Sequence, residues 1–196
     1  MARRSLDAGA LIAPVPAVLV SSGSVEKPNV MTAAWTGIVN TKPPKCYVSI
    51  RPERYTAQIL KETRELVINL TTKEMVKAVD FCGVKSGRTV DKMKECGLHA
   101  VASQSVGAPT VEESPVALEC AVEQVLPLGS HEMYLLDIKA VTVREELIDK
   151  EGRLALEKSG LIAYAHGQYF ALGEKLGSFG YSVRKKKKKK APPKKK

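Results

Sequence analysis

The amino-acid sequence predicts a mainly β fold, a closed or nearly closed barrel carrying a few short helices. Several long segments carry apolar residues on both faces of a would-be strand, helical spacing is confined to three short stretches, and no regular strand, helix, strand repeat builds a doubly wound sheet. A chain of 196 residues with 44% hydrophobic content is long enough for one well-buried domain with one core.

Period and punctuation place strands near Ala17 to Ser22, Val30 to Val39 and Cys46 to Arg51. A helix is expected next in "PERYTAQILKETR", where Pro52 suits a first-turn position and Ile59 and Leu60 supply an apolar stripe. Leu66 to Thr71 reads as the fourth strand, and the sequon Asn69-Leu70-Thr71 as its end. Two more helices follow in "TKEMVKAVDFCG" and "TVDKMKECG", with Gly83 and Gly97 standing where helix stops belong. Val116 to Leu126 and Met133 to Val143 are long strands, and Gln168 to Leu172 a short last one.

The net charge of +10 suggests a nucleic-acid binder until its distribution is read. Arg184 to Lys196 holds ten basic residues and no acid, leaving 21 basic and 21 acidic residues before it. The body, residues 1–183, is therefore a neutral domain. The tail, 184–196, is expected to be disordered and solvated, because its lysines repel and Pro192 and Pro193 deny it a helix. Such a tail attracts polyanions without sequence preference, since no aromatics are interleaved for stacking. A nonspecific nucleic-acid-binding module driven by this tail is the alternative to the reading developed below.

Cys46, Cys82, Cys96 and Cys120 are 36, 14 and 24 residues apart, with no C-x-x-C pair, and read as reduced thiols of a cytoplasmic protein. Asp7, Pro14 and Pro16 interrupt the start as an export signal. No apolar run approaches the ~20 residues of a membrane span. There is no P-loop, no G-x-G-x-x-G, no G-x-S-x-G elbow and no H-E-x-x-H helix. His99, His131 and His166 are too scattered to suggest a metal, and none is expected.

The segment "KPNVMTAAWTG" is built from small residues around the only tryptophan. Small residues let a flat ligand approach the backbone, whose N–H and C=O groups then read its polar edge. The strand at Ser49, Ile50 and Arg51 runs into a helix start, and Ser49, Arg51, Arg54 and Thr56 beside a helix N-terminus make an anion site. A planar ring and a phosphate together suggest a mononucleotide-like cofactor; a packed strand followed by an ordinary surface helix is the bland alternative.

"NVMTAAWTG", "PPKCYVSIRPERYT", "ELVINL", "FCGVKSGRTVDK" and "LGSHEMYLLDI" resemble the successive motifs of the flavin reductase-like family, over nearly all of Leu11 to Val183. The resemblance implies a split β-barrel that binds FMN without a covalent bond and forms a homodimer with the flavin near the interface. It places Asn29, Met31, Thr32 and Ala33 along the isoalloxazine ring, and Ser49, Ile50, Arg51, Tyr55 and Thr56 around the ribityl and phosphate end. Cys82, Gly83, Ser86, Gly87 and Lys92 would close the site, Lys92 as a second charge for the phosphate. It implies an oxidoreductase or electron carrier, with NAD(P)H or an iron-sulfur protein as donor and no side chain needed as acid or base. His131 would border the face where substrate approaches, with Tyr164, His166 and Tyr169 lining the same mouth. Where the family often has an acid before this histidine, the chain has Ser130. Trp35 is expected to pack behind the ring wall, with stacking on the ring as the other option. Cys82 is expected as a small packed residue in contact with the cofactor, or as one partner of a transient disulfide.

Overall fold

The computed structural model describes residues 1–184, so the lysine-rich tail expected from the sequence lies outside the described residues. In chain order the strands are β1 (Val15–Pro16), β2 (Val18–Gly23), β3 (Pro28–Ala33), β4 (Thr36–Thr41), β5 (Pro44–Ile50), β6 (Glu65–Leu70), β7 (Ala100–Val101), β8 (Thr110–Val111), β9 (Val116–Pro127), β10 (Glu132–Val143), β11 (Ile162–Ala165) and β12 (Gln168–Ala171). The helices are α1 (Tyr55–Thr63), α2 (Val76–Val84) and α3 (Lys92–Cys96).

Seven strands pair antiparallel in the order β3-β2-β6-β9-β10-β5-β4. The two edges, β3 and β4, are consecutive in the chain and separated only by Ala34 and Trp35. The single strand expected over Val30 to Val39 is thus broken in two: its first half pairs with β2 and its second with β5. The sheet curls shut through this covalent joint rather than through a ladder between its edges, which makes the barrel a split one. Ser49 N–H donates to the Trp35 carbonyl at 2.8 Å and pins the joint to β5.

The barrel interior is filled by Val18, Val20, Met31, Val48, Ile50, Leu66, Ile68, Cys120, Tyr134 and Leu136, with Ala57 and Leu60 of α1 plugging one end. On the outer face, Leu19 of β2 and Val30 of β3, with Ala17 just before β2, pack under Val79 and Cys82 of α2 and Met93 of α3. Strand β2 is therefore buried on both faces, which is why it opens on the apolar run Val18-Leu19-Val20. The buried Ser21 and Ser22 that follow are satisfied by hydrogen bonds, Ser21 Oγ donating to the Pro109 carbonyl and Ser22 Oγ accepting from the Asn29 amide. The β9–β10 hairpin bends around the barrel through register shifts at Leu135/Leu136 and Ile138/Ala140.

Several local expectations change. Pro52 lies not in the first turn of α1 but in the tight turn before it, where Arg54 N–H donates to the Arg51 carbonyl at 3.0 Å. Its fixed φ suits that turn, and α1 begins at Tyr55. Gly83 does not stop α2, which runs to Val84 and ends at Lys85, whereas Gly97 ends α3 in the left-handed conformation at φ 61°. The last strand proves to be half of a hairpin: β12 pairs with β11, and β11 with β1. No helix of the described residues is long and apolar enough to cross a membrane.

Candidate functional site

Two clefts meet on one side of the barrel, of about 410 Å³ and 340 Å³, and share Met31, Arg51 and Arg54. The larger is a slot. One wall is β3 and the joint after it, Met31 to Trp35; another is the end of β5, Ser49 to Arg51; α2 contributes Asp80, Gly83 and Val84. The Thr32 hydroxyl donates to the Val79 carbonyl, tying the wall to α2. A Cβ on Gly83 would meet the Thr32 Cβ at an ordinary 3.5 Å, so packing does not demand glycine there and its absent side chain leaves the slot wider.

The mouth of the slot is made by His131, from the β9–β10 turn, and by Tyr164, Gly167 and Tyr169 of the β11–β12 hairpin. Tyr164 and Tyr169 are cross-strand partners whose rings meet edge to face at 5.5 Å. Tyr169 Oη donates to Asp80 Oδ1 at 3.4 Å, and burial together with that carboxylate pushes its phenol up. His131 Nδ1 has the Ser130 hydroxyl at 2.9 Å, so the residue standing in place of an acid still touches the ring.

The smaller cleft is a cationic cradle. Arg51, Arg54, Lys85, Arg88 and Lys92 line it, against the single carboxylate of Glu53. The turn Arg51–Arg54 delivers the start of α1, which has no side-chain cap. Arg54 donates to the Gly83 carbonyl at 3.2 Å, and Arg88 donates to the Glu53 carbonyl at 3.0 Å with its guanidinium 5.7 Å from the Tyr55 ring centre. Lys92 is buried, and its ammonium donates to the carbonyls of Cys82 at 3.2 Å and Lys85 at 3.3 Å. Burial depresses its pKa below the usual lysine value.

Asn29 organises the floor of the cradle. It is buried, and its amide donates to Ser22 Oγ at 3.1 Å and Thr56 Oγ1 at 2.8 Å. A Cβ on Gly87 would fall 2.3 Å from Asn29 Oδ1 and 3.1 Å from Tyr55 Cδ1. The segment from Lys85 to Arg88 therefore closes on the floor only because position 87 has no side chain.

Of the residues singled out in the sequence, Met31, Thr32, Ala33, Ser49, Ile50, Arg51, Gly83, His131, Tyr164 and Tyr169 line the slot. Asn29, Tyr55, Thr56, Ser86, Gly87 and Lys92 line the cradle. Ile50 borders the slot with its side chain in the barrel core. Cys82 lines neither cleft: its thiol is buried under α2, and only its carbonyl reaches Lys92. Trp35 is not buried behind the wall but 46% exposed at the joint, and His166 lies at the hairpin tip on a separate groove shared with Trp35 and Tyr47. Lys85, Arg88 and Asp80 were missed as site residues. The two cations sit inside "FCGVKSGRTVDK", where the local density of positive charge was the available signal.

A slot walled by small residues and opening into a five-cation cradle fits a flat ring bearing a phosphate. The Flavin reductase like domain matches residues 11–173. The chain belongs to the flavin reductase-like family. As such it is a flavin-binding redox protein. An uncharacterized protein of Archaeoglobus fulgidus is 37% identical over 129 residues, covering 66% of this chain and 72% of that one. Among solved structures, the flavoredoxin of Desulfovibrio vulgaris (Miyazaki F) superposes with a TM-score of 0.86 at 30% identity, over 93% of this chain and 100% of that chain. An FMN-binding protein from Thermus thermophilus, solved with bound 1-cyclohex-2-enone, gives 0.74 at 26% identity over 91% and 97%.

Proposed function

We propose that the protein binds FMN non-covalently across the two clefts and works as a flavoredoxin or flavin reductase in the cytoplasm. The observation that carries this reading is the continuity of slot and cradle through Met31, Arg51 and Arg54. The β3 wall and Ser49 to Arg51 bind the ring, while Arg51, Arg54, Lys85, Arg88 and Lys92 neutralise the phosphate. FMN supplies reversible hydride and single-electron chemistry when bound. The protein's own part is to orient the ring, to present backbone N–H and C=O groups to its polar edge, and to shelter it. His131 and the tyrosine pair leave one side of the slot open to a partner molecule.

NAD(P)H is the donor we favour, folded into the mouth beside His131, Tyr164 and Tyr169; an iron-sulfur protein is the other donor. A homodimer is supported by Ile38 and Val39 of outer strand β4, which are 61% and 50% exposed. The visible spectrum of the purified protein tests the reading. Oxidised-flavin bands bleached anaerobically by NADH or NADPH would establish a reductase. Bleaching by dithionite or reduced ferredoxin alone would establish a carrier, and a colourless protein that takes up no added FMN would overturn both.

A further inference from the structure

Four cysteines lie in two close pairs. Cys46 and Cys120 approach to 3.8 Å between sulfurs inside the barrel, where they are 1% and 0% exposed. Cys82 of α2 and Cys96 of α3 approach to 4.0 Å, and here one partner, Cys96, is only partly buried. The second pair flanks, in the chain, the segment that lines one side of the cradle. Its members are 14 positions apart in the chain, and that interval contains Lys85, Ser86, Gly87, Arg88 and Lys92.

We propose that Cys82 and Cys96 are a redox-active dithiol that closes to a disulfide under hydrogen peroxide and clamps the cradle. Cys96 is the sulfur a small oxidant can reach. Cys82 is sealed under α2, and burial and its neighbour Cys96 hold its thiol up at about 12, so it does not attack first. The Cys96 sulfur attacks one peroxide oxygen, the O–O bond breaks, and water leaves with a sulfenic acid on Cys96. The Cys82 sulfur then displaces the sulfenic oxygen as a second water. Two thiols lose two electrons and two protons, and one peroxide becomes two waters. The sulfurs must close by about 2 Å to reach bonding distance, a side-chain rotation on two helices already in contact.

The bond would tie both ends of the segment that presents Lys85, Arg88 and Lys92, and so slow the opening through which a phosphate leaves. This consequence rests on the function proposed above; the thiol chemistry does not. The test treats the full-length protein with hydrogen peroxide, alkylates remaining thiols in denaturant, and maps unreduced peptides by mass. The expected result is a Cys82–Cys96 linked pair lighter by two hydrogens, with Cys46 and Cys120 alkylated. Cys96→Ser should leave Cys82 a free thiol, and Cys82→Ser should leave a sulfenic acid on Cys96 that dimedone traps. FMN release should slow several-fold after oxidation and recover with dithiothreitol. Over-oxidation of Cys96 beside a free Cys82, or a linked Cys46–Cys120 pair, would overturn the assignment. An unchanged FMN release rate from the linked protein would overturn the clamp. The linked pair in a protein that binds no FMN would uphold the dithiol and refute only the flavin reading.

Discussion

Arg51 is the cation whose removal isolates what the cradle holds, because it borders both clefts, is 55% exposed in its side chain, and is tied only to Glu53 at 3.7 Å. A hydrogen bond to a charged group contributes about 1.5–3 kcal/mol. Arg51→Ala should therefore weaken FMN by about tenfold or more while riboflavin, which lacks the phosphate, changes little; flavin fluorescence titrations measure both, and equal losses would place the phosphate elsewhere. His99 carries a different kind of prediction. Its Nδ1 lies 2.6 Å from Glu113 Oε1, and that hydrogen bond raises its pKa above 6.5. The charged ring is thus favoured by folding, so the stabilisation is complete below pH 6.5 and fades as pH rises through the raised value. Glu113→Gln should return the imidazole proton-NMR titration of His99 towards 6.5 and flatten the stability slope above it; a titration unmoved by the substitution would refute the pairing. Among single residues, the small-residue wall and "SIRPERYT" were legible in the sequence, because their composition departs from an ordinary strand and helix start. Lys85, Arg88 and Asp80 were not, since a charge in a motif looks like any solvated charge until the chain brings a second element against it.

At the scale of elements, α3 carries most consequence for its size. Five residues do not hold a helix by propensity alone, so its ends decide whether it forms. Asp91 caps the start by accepting from Lys94 N–H at 3.2 Å, and Gly97 closes the end. Lys92 is the first helical residue and reaches from there to the end of α2. Asp91→Ala should cost about 1 kcal/mol of stability and also weaken FMN, with denaturant melts and flavin titrations as the readouts; a stability loss with unaltered affinity would detach α3 from the cradle. The helices and long strands were readable because each buries a periodic face. The break at Ala34–Trp35 was not, because nothing in "MTAAWTG" interrupts the strand pattern: the demand to close a barrel does. The pairing of β11 with β1 was missed for a related reason. Two-residue and four-residue strands carry too little period to read, and Val15–Pro16 becomes a strand only when Ile162–Ala165 is laid beside it.

The whole molecule has the wall of its slot and its barrel core on the same strand, since Met31 belongs to the interior cluster and to both clefts. Cradle and core should then fail together. Heating the flavin-loaded protein should give one transition in which release, read by flavin fluorescence, coincides with loss of far-ultraviolet circular dichroism. Release well below the melt would show a cradle that opens on its own. The closure of the sheet through Ala34 and Trp35 also limits how such a chain can diverge. Connections that merely join neighbours, such as the turn at Gly152 between Ile148 and Leu154, where nothing lies within 4 Å of an added Cβ, have room to lengthen. The joint between β3 and β4 does not, because each inserted residue would enlarge the circumference of the barrel and shift the Met31 to Trp35 wall of the slot out of step with β5. Length variation in descendants of this sequence is thereby channelled to the hairpin ends, away from the seam.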